Sequence, residues 1–346
     1  MEVNNSKKKN FWENHTLNEF QILTIIKSVH PHSVDSVCFL KDGRIASSSS
    51  IDNNNVLIYN KITFQIEIRI HEKIGVYYMN INKDGILILC LRNIFVYLYE
   101  IKGKKYNIIQ TIKPYNLFYN IIGKFDHNFP ILKFIELKNG DIAFLVWSYA
   151  ICFYKKKKNS KKYSYLNKFS EKKDEYTTDL CEINNLQYCI YVKYANEIRF
   201  LDMNSKKITK TIYLDVYHSD SYNKFLLMNE KDLFFLGINS ISIIDVQQKE
   251  IIRTLSLPFI YDYFSSIYKL SNNIIIAGFE SNYIQQIEYD EIKKELRLIS
   301  EIKGKKRDTS AVIKVKSLSI FNNKLIVSAI RNNKGPSSLI VYKLKN

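Results

Sequence analysis

The residues able to carry acid–base, nucleophilic or metal chemistry are few and scattered. The six histidines (His15, His30, His32, His71, His127 and His218) stand singly or in loop-like segments. A zinc protease needs HExxH, which sets two imidazoles and a glutamate on one helical face, and a structural zinc site needs paired Cys/His spacings. Neither spacing occurs, and there is no phosphate-cradling GxxxxGK[ST] and no GxSxG elbow. The five cysteines (Cys38, Cys90, Cys152, Cys181 and Cys189) are odd in number, include no CxxC and sit inside apolar runs. That pattern predicts buried, reduced thiols and a location inside the cell; the cytoplasm is expected rather than the nucleus. No cofactor and no metal are expected.

The chemistry left to the chain is charge and contact. Lys and Arg number 51 against 34 Asp and Glu, a formal charge of +17. Such a balance suits an acidic partner: nucleic acid, an anionic membrane surface or an acidic protein. The enriched Lys, Asn, Ile and Tyr are also residues with A/T-rich codons, so composition bias is the competing explanation. The lysines cluster at Lys102, Lys104 and Lys105; at Lys155, Lys156, Lys157 and Lys158 with Lys161 and Lys162; at Lys206 and Lys207; and at Lys293 and Lys294. Turns are the default home of solvated lysine. Aromatic side chains gather in long polar segments. Residues 113–130 hold Tyr115, Phe118, Tyr119, Phe125 and Phe129; 215–223 hold Tyr217, His218 and Tyr222; 258–263 hold Tyr261 and Tyr263. A basic segment from Lys303 adds Lys305 and Arg307. Tyrosine is a favoured binding anchor, with a rigid apolar body and one polar tip.

These segments punctuate a repeat. Hydrophobic residues form 46% of the chain and lean towards Ile, Phe and Tyr, which fit a pleated, half-buried surface. With only 5 Pro and 10 Gly, turns fall to Asn, Asp, Lys and Ser. An alternating apolar segment, a short polar turn and a second apolar segment recur seven times: FLKDGRIAS, NINKDGILIL, IELKNGDIAFL, CEINNLQYCIY, LLMNEKDLFFL, YKLSNNIIIAG and LSIFNNKLIVS. The turns centre on Gly43, Gly85, Gly140, Asn185, Lys231, Asn273 and Asn323, spaced by 42, 55, 45, 46, 42 and 50 residues. A period of about 40–45 residues with period-2 alternation marks the four-stranded blade of a β-propeller, not a helical solenoid. Each copy continues into a third strand: VLIYN, IFVYLYE, AICFYK, EIRFLD, SISIIDV, YIQQIEYD and SLIVYK. Clear fourth strands follow in five copies, from Phe64, Tyr106, Ile208, Ile251 and Glu295. A chain of 346 residues would ordinarily suggest two domains, but blades add length without adding cores. The apolar stretch 86–101 contains Arg92, Asn93 and Glu100 and reads as two strands, not a membrane span.

The stretch from His30 to Asn60, HPHSVDSVCFLKDGRIASSSSIDNNNVLIYN, resembles a WD-repeat. The resemblance implies a hydrogen-bonded network of His30 or His32, Ser48, Asp52 and Tyr59, with Asn60 at the D of the WD dipeptide. The other copies have YE, YK, LD, ID, EY and YK at that dipeptide, and apolar packing is expected to replace the network there. The last copy has three strands, while one alternating segment, FQILTIIKS at 20–28, precedes the first. It is expected to complete the last blade and close a seven-bladed, all-β ring, removing open sheet edges. Residues 1–19 are then a basic, disordered tail with no signal-peptide character.

In a propeller the connections after strands two and four open on one face, here the top. Those after strands one and three open on the bottom. Tyr217, His218, Tyr261, Tyr263, Lys303, Lys305 and Arg307 therefore belong to the top, as a partner-binding set. Lys102, Lys104, Lys105, Lys155–Lys158, Lys206 and Lys207 belong to the bottom, as an anion-binding set. The function expected is a non-catalytic scaffold binding a protein or peptide on the top face, a monomeric propeller within a larger assembly. The alternative is a basic adaptor for nucleic acid or a phosphoinositide membrane, although no paired-arginine FRRG motif is present. An enzyme with a site in the central channel is the third possibility.

Overall fold

In the computed structural model the described residues are 20–27, 29–51, 55–92, 95–113, 131–146, 150–170, 177–193, 195–214, 225–237, 240–256, 264–279, 283–303, 313–332 and 337–344. The tail expected over 1–19 lies outside them. Their 28 strands form seven four-stranded antiparallel sheets, with no helix among the described residues. Six sheets follow chain order: blades 1 to 6 span 36–71, 76–112, 131–170, 177–213, 225–256 and 264–303. Blade 7 takes its first three strands from 313–344 and its outermost from Phe20–Ile26, which pairs antiparallel with Ser338–Leu344. The ring closes as expected, on a strand two residues shorter than the 20–28 read from the sequence.

One detail shows that the closing strand replaces a fourth strand in geometry as well as in order. In every blade the pairing of strands three and four slips by one residue, leaving an extra residue on the outer strand. These are Glu67, Ile109, Leu166, Thr209, Ile252 and Ile299 in blades 1 to 6. In blade 7 the same slip leaves Leu23. A bulge twists and interrupts an edge that would otherwise template pairing with another chain. The fourth strand of blade 3, Tyr163–Ser170, follows a lysine-rich lead-in and was not among the five clear ones.

The second strands LILCL, IAFLV and DLFFL are buried at every position. Each is covered on both faces by neighbouring blades, so continuous apolar runs form there instead of strict alternation. The core is a ring of inter-blade layers. Cys38, Ala46 and Ile58 of blade 1 pack with Leu87, Leu89 and Tyr99 of blade 2. The last layer joins Val37, Phe39 and Leu57 to Val327 and Val341 across the closure. Each Val, Leu, Ile or Phe among them contributes about 1.5–3 kcal/mol of burial. The innermost strands are also tied by serines: Ser36 Oγ donates to Met79 O at 3.0 Å, and Val37 N and Phe39 N donate to Ser317 Oγ and Ser319 Oγ at 3.3 and 3.2 Å.

The bottom turns use the left-handed backbone. Gly43, Gly85 and Gly140 sit at φ of +88°, +82° and +85°, which explains the glycine in the first three repeats. Between strands three and four, blades 1 to 6 each place one residue at φ of +53° to +57°: Phe64, Gly103, Asn159, Lys206, Lys249 and Lys294. For a residue with a Cβ this conformation costs roughly 1–2 kcal/mol.

Candidate functional site

Part of the polar network expected in blade 1 lies among the described residues, with one serine exchanged. His30 is buried, and its Nε2 lies 3.0 Å from Ser47 Oγ, which lies 3.4 Å from the Tyr59 hydroxyl. Ser47, not Ser48, is therefore the serine of the network. Successive side chains of a strand point to opposite faces, so a one-residue error moves the hydroxyl to the wrong side. Ser48 Oγ is buried without a hydrogen-bond partner. His32 is exposed, and Asp52 lies outside the described residues. Asp35, which sequence reasoning passed over, organises the adjoining loop: its Oδ2 accepts from Ser33 Oγ, Ser50 N and Ser50 Oγ at 2.9, 2.7 and 2.8 Å. Asn60 caps the bottom turn through Ile62 N and Thr63 N, at 2.7 and 2.9 Å. Asp245 does the same for Gln247 N and Gln248 N in blade 5. In blade 6 the residues in register with Tyr59 and Asn60 are Ile287 and Glu288, not the EY read from the sequence, because its third strand runs further beyond the bulge. Tyr289, beyond the bulge, bonds to Asp232 of blade 5 instead.

On the top face, Tyr217, His218, Tyr261, Tyr263, Lys305 and Arg307 lie outside the described residues. Lys303 is the last residue of blade 6's fourth strand, opposite Tyr283, at the top end of that blade. The described strands fix where each connection leaves and re-enters. Segments 113–130, 214–224, 257–263 and 304–312 all join a fourth strand to the next first strand, and so all emerge on the top. Asn196 Nδ2 donates to Leu214 O at 2.5 Å and Leu214 N to Asn196 O at 3.0 Å, pinning the root of the second segment. Tyr213, beside that root and 73% exposed, is an aromatic that the sequence reading left inside a strand.

On the bottom face, the clusters at 102–105, 155–162, 206–207 and 293–294 all lie at turns between strands three and four. Glu100 accepts from Lys161 Nζ at 2.6 Å and lies 2.9 Å from Lys102 Nζ. The Lys161 and then the Lys102 hydrogen bonds hold its carboxyl down at about 2. Lys156 Nζ lies 2.5 Å from Asp84 of blade 2, and its backbone N donates to Asp141 at 2.8 Å. A groove of about 750 Å³ runs along this hairpin, with Asn139, Lys155, Lys157, Lys158, Asn159 and Ser160 on its walls. Lys206 and Lys207 stand one blade further round, with Asp202 opposite Lys207. Lys293 and Lys294 pair with Asp290 at 4.0 Å and with the buried Asp232 at 2.7 Å.

The buried carboxylate among the innermost strands, Asp179, has both oxygens engaged. Lys133 Nζ and Leu180 N donate to Oδ1 at 2.5 and 2.7 Å, and Phe225 N donates to Oδ2 at 2.8 Å. Among the described residues no three His, Cys, Asp or Glu side chains are grouped to hold a metal ion. The five cysteines are free, and burial pushes the Cys38 and Cys152 thiols up to about 12.

No family model matches the chain, and no curated sequence matches it. Solved structures do. The WD40 repeats of RRP9 match with a TM-score of 0.70 at 13% identity, over 96% of this chain and 100% of that one. The U3-55K structure matches with a TM-score of 0.70 at 13% identity, over 94% of this chain and 98% of that one. Likeness at this identity establishes the fold, a seven-bladed propeller of the WD-repeat kind. As many as 1570 solved chains match, too many for the fold to fix a function.

Proposed function

We propose that the protein is a non-catalytic scaffold, cytoplasmic rather than nuclear, that docks a protein or peptide partner on its top face within a larger assembly. One observation carries this reading: the two faces differ in how much chain they hold. No turn at the bottom exceeds six residues, whereas the top has five connections of seven or more, at 27–35, 113–130, 214–224, 257–263 and 304–312, the longest with 18 residues. Connections of that length inside a compact domain usually have a use. Three of them, each joining two strands of a rigid ring, carry Tyr217 and His218, Tyr261 and Tyr263, and Lys305 and Arg307 in their sequence. Tyrosines rooted on such a frame lose little entropy on binding.

A non-catalytic role is supported by Asp179, because the channel's buried carboxylate is spent on holding three blades together. An intracellular location is supported by the five free cysteines. The test is a Tyr217→Ala, Tyr261→Ala, Tyr263→Ala triple variant. It should melt with the wild type and lose the co-purifying partner, while a Lys157→Gln, Lys158→Gln variant keeps it. Retention by the triple variant would remove the top-face assignment. A second reading, a basic adaptor for an anionic surface, is favoured by the lysines of the opposite face that have no carboxylate partner among the described residues.

A further inference from the structure

The charge of the bottom face is concentrated in one sector. In blades 5 and 6, Lys231, Lys249, Lys293 and Lys294 share the turns with Glu230, Asp232, Asp245, Asp290 and Glu291. In blade 3, Lys138, Lys155–Lys158, Lys161 and Lys162 share the turns with only two acids of their own blade, Glu136 and Asp141. Blade 2 adds Lys83, Lys102, Lys104 and Lys105 against Asp84 and Glu100. The ion pairs Lys161–Glu100 and Lys156–Asp84 tie the blade 3 hairpin to the blade 2 turns, so the two form one surface. With those pairs made, Lys104, Lys105, Lys155, Lys157, Lys158 and Lys162 have no carboxylate within ion-pair distance among the described residues. Lys102 and Lys105 also face each other directly across the strand pair, a like-charge arrangement that Glu100 relieves at Lys102 and leaves open at Lys105.

Two features decide which anion fits. Lys155, Lys157 and Lys158 line a groove whose acids, Asp84 and Asp141, are engaged by Lys156, and a groove suits a chain of phosphates better than a bilayer, which would meet only the hairpin tip. Exposed aromatics also stand in these two blades, Tyr165 on the side of blade 3 that faces blade 2 and Tyr106 on the side of blade 2 that faces blade 1. Of the three exposed tyrosines among the described residues, two belong to this sector: Tyr106 at 39% and Tyr165 at 40%. Each ring is braced edge-on by a tyrosine of the third strand, Tyr106 by Tyr99 at 5.9 Å and Tyr165 by Tyr154 at 5.7 Å. Residues in register with Tyr165 in blades 1 and 4 are aliphatic, Ile66 and Ile208. Lysines tracking a backbone beside braced aromatic faces are the means by which single strands are held without sequence readout. Building on the anionic-surface reading, we propose that the bottom face of blades 2 and 3 binds single-stranded nucleic acid. Lys104, Lys105, Lys155, Lys157, Lys158 and Lys162 contact phosphates, and Tyr106 and Tyr165 stack on bases.

The test is fluorescence anisotropy of the full chain with labelled oligouridylate and oligothymidylate 12-mers across a salt series, which also separates RNA from DNA. Inorganic polyphosphate and phosphoinositide vesicles serve as base-free anions. Lys157→Gln with Lys158→Gln should weaken oligonucleotide binding about 10- to 30-fold at 0.1 M salt and flatten the log–log salt slope by about 1.4. Lys206→Gln with Lys207→Gln removes the same charge from a neighbouring blade and should change neither. Tyr106→Leu and Tyr165→Leu keep an apolar side chain against Tyr99 and Tyr154. Each should cost about 5-fold or more with the slope unchanged. Equal losses from both lysine pairs, or neutral tyrosine variants, would overturn the proposal. Tighter binding of vesicles or polyphosphate would also overturn it while leaving the anionic-surface reading intact. Binding to none of the four probes would end both.

Discussion

Replacing Asp232 with asparagine tests whether polar contacts between blades, and not the apolar layers alone, hold the ring. Asp232 opens the second strand of blade 5 and is 1% exposed. Its oxygens accept from Lys294 Nζ at 2.8 and 2.7 Å, from the Tyr289 hydroxyl at 2.8 Å and from Asn229 Nδ2 at 3.0 Å. Lys294 and Tyr289 come from blade 6. Burial pushes the carboxyl upward, but the bonds from Lys294, Asn229 and Tyr289 outweigh it and hold the group below its usual range. Asparagine keeps the shape, removes the charge and turns an amide donor towards other donors. Removing one partner of a buried pair costs about 3–5 kcal/mol. Lys294 keeps 25% exposure, so water recovers part of its solvation, and the expected loss is about 2–3 kcal/mol. Urea denaturation at neutral pH should show it as a lower midpoint with an unchanged slope. A depressed pKa contributes stability that is fully present above the unfolded-state value and fades as pH falls through the folded value. The gap between the two proteins should therefore be flat from about pH 5 to 8 and close below about pH 4. A gap under about 0.5 kcal/mol at neutral pH would refute the reasoning, because that is the range of ordinary surface changes. So would a gap that persists undiminished at about pH 2.

Three further outcomes follow from the geometry. Deleting residues 1–9 should leave the melting temperature unchanged, while deleting through Ser28 removes the outer strand of blade 7 and should give insoluble or protease-sensitive protein. Ser47→Ala should cost about 1–3 kcal/mol in chemical denaturation by stranding the buried His30, whereas Ser48→Ala should be neutral or slightly stabilising, since its hydroxyl has no partner. Equal costs would contradict the register. Lys206→Gly should stabilise by up to about 1 kcal/mol, the relief of a left-handed backbone less the entropy of glycine, and a destabilised variant in the same assay would contradict the turn geometry.

The fold was legible because each blade repeats a local pattern. Gly43, Gly85 and Gly140 mark turns that need a left-handed residue, and the spare segment beginning at Phe20 signalled closure. Register was less legible. In ASSSS any of several serines satisfies the pattern, and only the pleat decides that Ser47 and not Ser48 faces His30. In YIQQIEYD the position of the bulge, which no local residue announces, moves the dipeptide from EY to IE. Contacts between blades were not legible at all. Lys133 with Asp179 and Lys294 with Asp232 are 46 and 62 residues apart and break the repeat. The lysine clusters could be placed on one face from strand order. Their gathering in blades 2 and 3 depends on which acids of neighbouring blades pair with them, and those ion pairs join residues 61 and 72 positions apart.

The most direct test of top-face docking is amine cross-linking of the native complex followed by mass spectrometry, because both faces carry reactive lysines. Lys113, Lys124, Lys224, Lys303, Lys305 and Lys306 belong to the top connections or their roots, and Lys104, Lys157, Lys158 and Lys206 belong to the bottom turns. Docking as proposed predicts partner cross-links on the first set and few or none on the second. Cross-links to a protein partner that fall on the bottom set, with the top lysines unmodified by the partner, would contradict it.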